Sequence, residues 1–135
     1  MKNKLIKEFS LFENCMDRYQ YIIDLGKNLP KFPNEWKIQK YVIEGCQSNV
    51  WIHHTYNIKK IHFNGISDSS IVSGLIAILM QIYNDCTPNE IIAIPHNIIE
   101  SIGINQHLSI KRNNGLHAML KYIYATAYKY NNIKL

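Results

Sequence analysis

Cys46 stands in the tetrapeptide Gly45-Cys46-Gln47-Ser48, between two strand-like runs, Tyr41-Val42-Ile43-Glu44 and Val50-Trp51-Ile52-His53. A glycine before a cysteine, followed by two side chains able to hydrogen-bond locally, describes a sharp loop that displays a thiol. Cys15, inside an apolar-periodic helical stretch, and Cys86, just before a helix start, read instead as small hydrophobes with weak S–H donors. Chemistry is therefore expected on Cys46, with Gly45, Gln47 and Ser48 supporting its loop.

Four roles are open to such a residue. Free cysteine is among the most buried residue types, so an inert core position is the plainest. A protease nucleophile needs a histidine base within hydrogen-bond reach and a group to orient it; six histidines are available (53, 54, 62, 96, 107 and 117), but no protease-like pattern flanks Cys46. A metal site would draw on histidines and Asp68 as well. The paired cysteines of structural zinc sites are absent, however, and His53 and His54, adjacent on a strand, point to opposite faces, so no metal is expected. The fourth role is sulfur or redox exchange through the thiolate. A free thiol of pKa about 8.5 is only slightly ionised at neutral pH, so loop N–H groups, a nearby cation or a partner must activate it. Without a C-x-x-C pair, a single-cysteine carrier fits better than a dithiol oxidoreductase, because it needs one displacement onto its sulfur and one off it.

A chain of 135 residues, 47% hydrophobic and 19% charged, makes one domain, 1–135, able to bury roughly two thirds of its unfolded surface without disulfide or metal. Three cysteines, an odd number, suit a reducing compartment. Glu8, Glu13 and Asp17 interrupt any signal-like stretch after the basic Met1-Lys2-Asn3-Lys4, and no run approaches the ~20 apolar residues of a membrane span, so a cytoplasmic protein without membrane contact is expected. The net charge of +5 raises the question of nucleic acid. Yet the lysines are scattered, as singles and in pairs such as Lys59-Lys60 and Lys111-Arg112, with no basic run interleaved with aromatics, and no nucleic-acid partner is expected.

The elements that must position the loop can be read coarsely. Lys4 to Phe9 forms a short amphipathic turn or helix. Asn14 and Asp17 resemble a capping arrangement opening a helix with Met16, Tyr19 and Ile23 on one face, closed by Gly26 and Pro30. Lys31 to Trp36 is a loop. Ile38–Ile43, Asn49–Thr55 and Lys59–Phe63 are rich in β-branched and aromatic residues and predict a three-stranded antiparallel sheet, ended by Asn64-Gly65. Ser67 and Asp68 offer an N-cap and a first-turn acid to a helix carrying Ile71, Leu75, Ile78, Leu79 and Ile82, widened by Val72, Ile76 and Met80 and therefore buried on much of its surface. Gly74 inside it implies close approach of another element, since glycine costs about 1 kcal/mol there. Thr87-Pro88-Asn89-Glu90 carries a capping box with proline at the first helical position. A last helix after Asn113-Asn114 places Leu116, Leu120, Ile123 and Ala127 at core spacing.

Several blocks stand together in one order: Tyr19-x-Tyr21-Ile22-Ile23-Asp24-Leu25-Gly26 to Leu29-Pro30; Gly45-Cys46-Gln47-Ser48-x-Val50-Trp51; Ser67-Asp68-x-x-Ile71-Val72-x-Gly74-Leu75; Thr87-Pro88-x-Glu90-Ile91; and Gln106-His107-Leu108-Ser109 with Arg112 and Gly115-Leu116. Over nearly the whole chain they resemble the SufE family of sulfur acceptors; Lys31 to Gln39 matches no motif of it. The resemblance implies an α+β fold, a small antiparallel sheet packed against several helices as in SufE and the IscU-type scaffold. It also implies Cys46 as persulfide carrier, with Asp68, Arg112 and His107 as partner-binding residues. The partner implied is a SufS-type cysteine desulfurase, whose pyridoxal phosphate belongs to it, so no cofactor is expected in this chain. Such a carrier stimulates the desulfurase and passes sulfur to a SufBCD-like scaffold for iron–sulfur cluster assembly, as a sulfurtransferase component and not an enzyme acting alone. A CsdE-like partner of a different desulfurase and a non-catalytic adaptor of the same fold stay open, as does a homodimer. The blocks at Gln106–Ser109 and Thr87-Pro88 lean towards SufE. A persulfide must be kept from small thiols, so a resting Cys46 is expected to lean into an apolar pocket between the sheet and the Ile71–Ile82 helix. Trp51 and Tyr19 read most simply as core aromatics.

Overall fold

The run from Ile71 to Tyr83 is apolar on most sides and must be enclosed, and the rest of the chain is arranged to do so. The computed structural model describes residues 15–95, 97–103 and 108–131. In chain order it comprises α1 (Cys15–Lys27), two short 3-10 turns (Asn34–Trp36 and Gln39–Tyr41), β1 (Val50–Asn57), β2 (Lys60–Ser67), α2 (Ser70–Tyr83), α3 (Pro88–Ala93), α4 (Ile98–Ile102) and α5 (Ile110–Asn131). Both α1 and β2 pack on α2, and α3 packs on α5. Every residue of α2 from Ile71 to Met80 is buried. The expected Lys4–Phe9 element and the Asn14 cap lie outside the described residues.

Gly74 has the neighbour its cost implied. A Cβ on it would sit 2.0 Å from the backbone oxygen of Ile22, and one on Gly26 would sit 2.6 Å from the backbone nitrogen of Gly74. The helices α1 and α2 therefore cross backbone to backbone, which two glycines permit and any larger pair would block. Gly26 thus belongs to a helix crossing as well as to the last turn of α1, which ends at Lys27. Of the expected α1 face, Met16 is 79% exposed, while Ile22, one residue off that face, is the buried anchor at 1%.

The sheet has two strands, not the three expected. β1 and β2 pair antiparallel from Val50–Ser67 to Asn57–Lys60. The expected strand Ile38–Ile43 is instead a 3-10 turn followed by one isolated bridge, Val42 to Trp51, and an Ile43 N–H bond to the Val50 carbonyl at 2.9 Å. Its residue types suit a strand, but Ile38, Gln39 and Lys40 are all exposed and only Ile43 is buried, so no face exists for a third strand to bury. β2 in turn runs past Asn64-Gly65 to Ser67, with Ile76 of α2 packed against Gly65. The hairpin turns at Ile58 and Lys59, both left-handed at φ 51° and 64°, as a two-residue connection matching the strand twist requires.

The helix starts follow local chemistry. Ser69, not Ser67, caps α2 by accepting from the Val72 N–H, and no acid lies in its first turn. Thr87 and Glu90 form the full capping box of α3, with Pro88 at its start. α5 begins before Asn113, with the Ser109 hydroxyl accepting from the Arg112 N–H at 3.2 Å.

Candidate functional site

The segment carrying Cys46 is held at both ends. Upstream, Ile43 is bonded to Val50 and Gly45 turns the chain at φ 91°, a left-handed conformation that side chains with a Cβ rarely adopt. Downstream, the Asp68 carboxylate accepts from the Asn49 N–H at 3.2 Å and from its side-chain amide at 2.9 Å. The Asn49 carbonyl accepts from the Ser67 hydroxyl at 2.7 Å. Asp68, expected as a first-turn acid or docking residue, thus braces the loop against the start of α2.

Between these anchors Cys46 is half-buried, and its S–H donates to the Gly115 carbonyl of α5 at 3.6 Å. The thiol opens on a cavity of about 90 Å³. Gln47 and Ser48 line it from the loop, Val72 and Leu75 from α2 with its cap Ser69, and Lys111, Arg112 and Met119 from α5. The pocket is thus formed by α2 and α5 and not, as expected, by α2 and the sheet. Burial pushes the Cys46 thiol up from its ordinary value of 9.0, which agrees with a protonated sulfur donating to a carbonyl. Two cations, the exposed Lys111 and the half-buried Arg112, stand on the cavity wall. The Arg112 guanidinium lies 5.4 Å from the centroid of the Tyr19 ring.

Of the residues expected in the site, Gly45, Cys46, Gln47, Ser48 and Arg112 gather here, Asp68 anchors the loop from outside the cavity, and His107 lies outside the described residues. Ser69, Lys111 and Gly115 were not singled out as site residues, and only Gly115 carried a signal, through its place in a family-like block. No histidine is among the described residues lining the cavity. His53 stacks on Trp36, centroids 3.7 Å apart and nearly coplanar, while His54 on the other face bonds the hydroxyls of Tyr122 at 2.5 Å and Tyr130 at 3.1 Å. His62 pairs with Asp85 at 3.0 Å. Among the described residues, a protease reading therefore has no base at this thiol. Among the described residues no helix is long and apolar enough to cross a membrane.

The geometry describes a thiol on a braced loop, screened by helices and faced by positive charge. The family profile described as SufE, Fe–S metabolism associated domain, matches residues 3–127. An uncharacterized SufE-like protein of Rhizobium meliloti (strain 1021) is 37% identical over 130 residues, covering 93% of each chain. The solution structure of a hypothetical protein from Thermus thermophilus has the same fold, with a TM-score of 0.78 at 16% identity, covering 95% of this chain and 93% of that one. By the span of the profile and the identity to this relative, the chain belongs to the SufE family.

Proposed function

We propose that this protein is the sulfur acceptor of a cysteine desulfurase, carrying persulfide sulfur on Cys46 towards iron–sulfur cluster assembly. The observation that carries the reading is the Cys46 thiol, hydrogen-bonded to Gly115 and opening on a small screened cavity, in a chain of a family associated with Fe–S metabolism. A sulfane sulfur held in such a cavity is kept from small thiols. In the transfer step the Cys46 thiolate attacks the terminal sulfur of the donor persulfide. The Cys46 Sγ–S bond forms, the donor S–S bond breaks, and the donor leaves as a thiolate, with no electrons exchanged with the surroundings.

The resting thiol is protonated, and the loop must open for two cysteines to meet. Docking therefore does two things: it draws the Gly45–Ser48 segment out of contact with α5, and it supplies an environment in which Cys46 ionises. Gly45 absorbs the backbone change, Asp68 holds the downstream end, and Arg112 presents a planar fork to a carboxylate of the partner. A SufS-like desulfurase and a SufBCD-like scaffold are the partners this role calls for, and pyridoxal phosphate stays with the desulfurase. Intact-mass analysis after mixing with a desulfurase, cysteine and pyridoxal phosphate tests the reading. One added sulfur atom, located on Cys46, is expected; stimulation of the desulfurase with no added sulfur makes the protein an adaptor.

A further inference from the structure

Tyr19 of α1 and Arg112 of α5 come from distant parts of the chain and meet beside the Cys46 cavity, which Arg112 lines. Their separation of 5.4 Å lies within the range of a cation–π contact. Arg112 forms no ion pair with any described residue, so the ring is what fixes its guanidinium. Lys111 lines the same cavity from the neighbouring position, but it is exposed and has no ring contact among the described residues. A long side chain left unstacked samples many rotamers, whereas a stacked one keeps its charge in one place.

We propose that Tyr19 is a positioning residue that holds the Arg112 guanidinium at the Cys46 cavity, and that the charge so fixed makes Cys46 select anionic sulfur reagents. The proposal rests on the sulfur-acceptor reading and deepens it by giving the substrate its charge class. A persulfide is more acidic than the thiol from which it is made, so a donor persulfide approaches as an anion. Cys46 must itself ionise to attack. Two anionic sulfurs therefore have to come together, and a cation held at the wall offsets their repulsion.

The test needs no partner protein. Iodoacetate and iodoacetamide share a leaving group and are close in size, but the first is an anion and the second neutral. The ratio of their rates at Cys46, read by peptide mass, cancels burial and the ionised fraction and reports the local field. Arg112→Ala and Tyr19→Leu should each lower the ratio about threefold to tenfold, while Tyr19→Phe, which keeps the ring, stays within about twofold of wild type. The double variant Tyr19→Leu/Arg112→Ala should fall no further than Arg112→Ala alone, and Lys111→Gln should move the ratio less than Arg112→Ala. A wild-type ratio for Tyr19→Leu overturns the proposal, including the case in which both rates rise together, since Tyr19 would then serve packing only. A wild-type ratio for Arg112→Ala overturns it too. Failure of the sulfur-acceptor reading registers separately, as the absence of added sulfur on wild-type protein in the desulfurase mixture.

Discussion

Cys46 and Cys86 are both half-buried, both donate to backbone carbonyls, and burial raises both thiols. They differ in what they face. Cys86 bonds the Ile82 and Asn84 carbonyls of its own corner, at 3.9 and 3.7 Å, and Glu90 and Asp85 raise its thiol further, with Lys60 opposing them. Cys46 reaches across to α5, and the charges on its cavity wall are Lys111 and Arg112. Burial therefore does not mark the chemical cysteine. An enclosed space at the sulfur and the sign of the charge beside it do.

The widest separation between the two comes from removing each sulfur. Cys46→Ser should abolish persulfide loading completely, whereas Cys86→Ala and Cys15→Ser should load like wild type, Cys86→Ala at a stability cost of about 1–3 kcal/mol. Loss of loading in a folded Cys86→Ala protein, checked by intact mass and circular dichroism, would erase the distinction. Next, the charge at Cys46 should matter to the partner. Arg112→Ala should weaken desulfurase binding about tenfold, or ~1.4 kcal/mol, in titration calorimetry with the fold unchanged, and wild-type affinity would contradict the docking role.

The tethers give a smaller and symmetrical effect. Asp68→Ala frees Asn49 and should speed maleimide labelling of Cys46 severalfold without changing Cys86. Thr87→Ala removes the α3 cap beside Cys86, costs about 1 kcal/mol, and should do the reverse. Labelling that rises at both thiols in either variant would mean global loosening. The smallest effect is one the two share. A group raised in the folded state binds its proton more tightly there than in the unfolded chain, so its contribution is intact below its unfolded value and is lost as pH rises. The thiols start from 9.0, and the tyrosines from 10.0, with Tyr122 pushed up to about 12 and Tyr124 raised by burial. Urea midpoints should therefore fall as pH climbs above about 9. Cys46→Ser and Cys86→Ser should each flatten the first part of that decline; an unchanged decline in either variant would count against burial of that thiol.

Much of this was legible in the residues. Thr87-Pro88-Asn89-Glu90 specifies its cap locally, and Gly74 in an apolar helix implies a close neighbour because nothing else offsets its cost. The failures share a cause. Ile38–Ile43 has strand-like residues, but whether a third strand forms depends on a face to bury, which composition does not state. Met16 has helical spacing yet lies off the crossing that Gly26 and Gly74 dictate. The site shows the same division. Cys46 could be picked out by its loop, while the wall that α5 lends to its cavity and the ring under Arg112 depend on contacts between distant segments, and no local pattern encodes them.

The crossing of α1 and α2, where Gly74 meets Ile22 and Gly26, makes α1 a lever pivoting between those two residues. Tyr19 stands between one and two turns from the middle of that pivot, roughly 7 Å at 1.5 Å per residue. A tilt of about 8° would thus shift the ring by roughly 1 Å, enough to carry the guanidinium with it. Residues that set the angle of this crossing, though remote from any sulfur, therefore trim the electrostatics of the thiol as well as the packing of the helices.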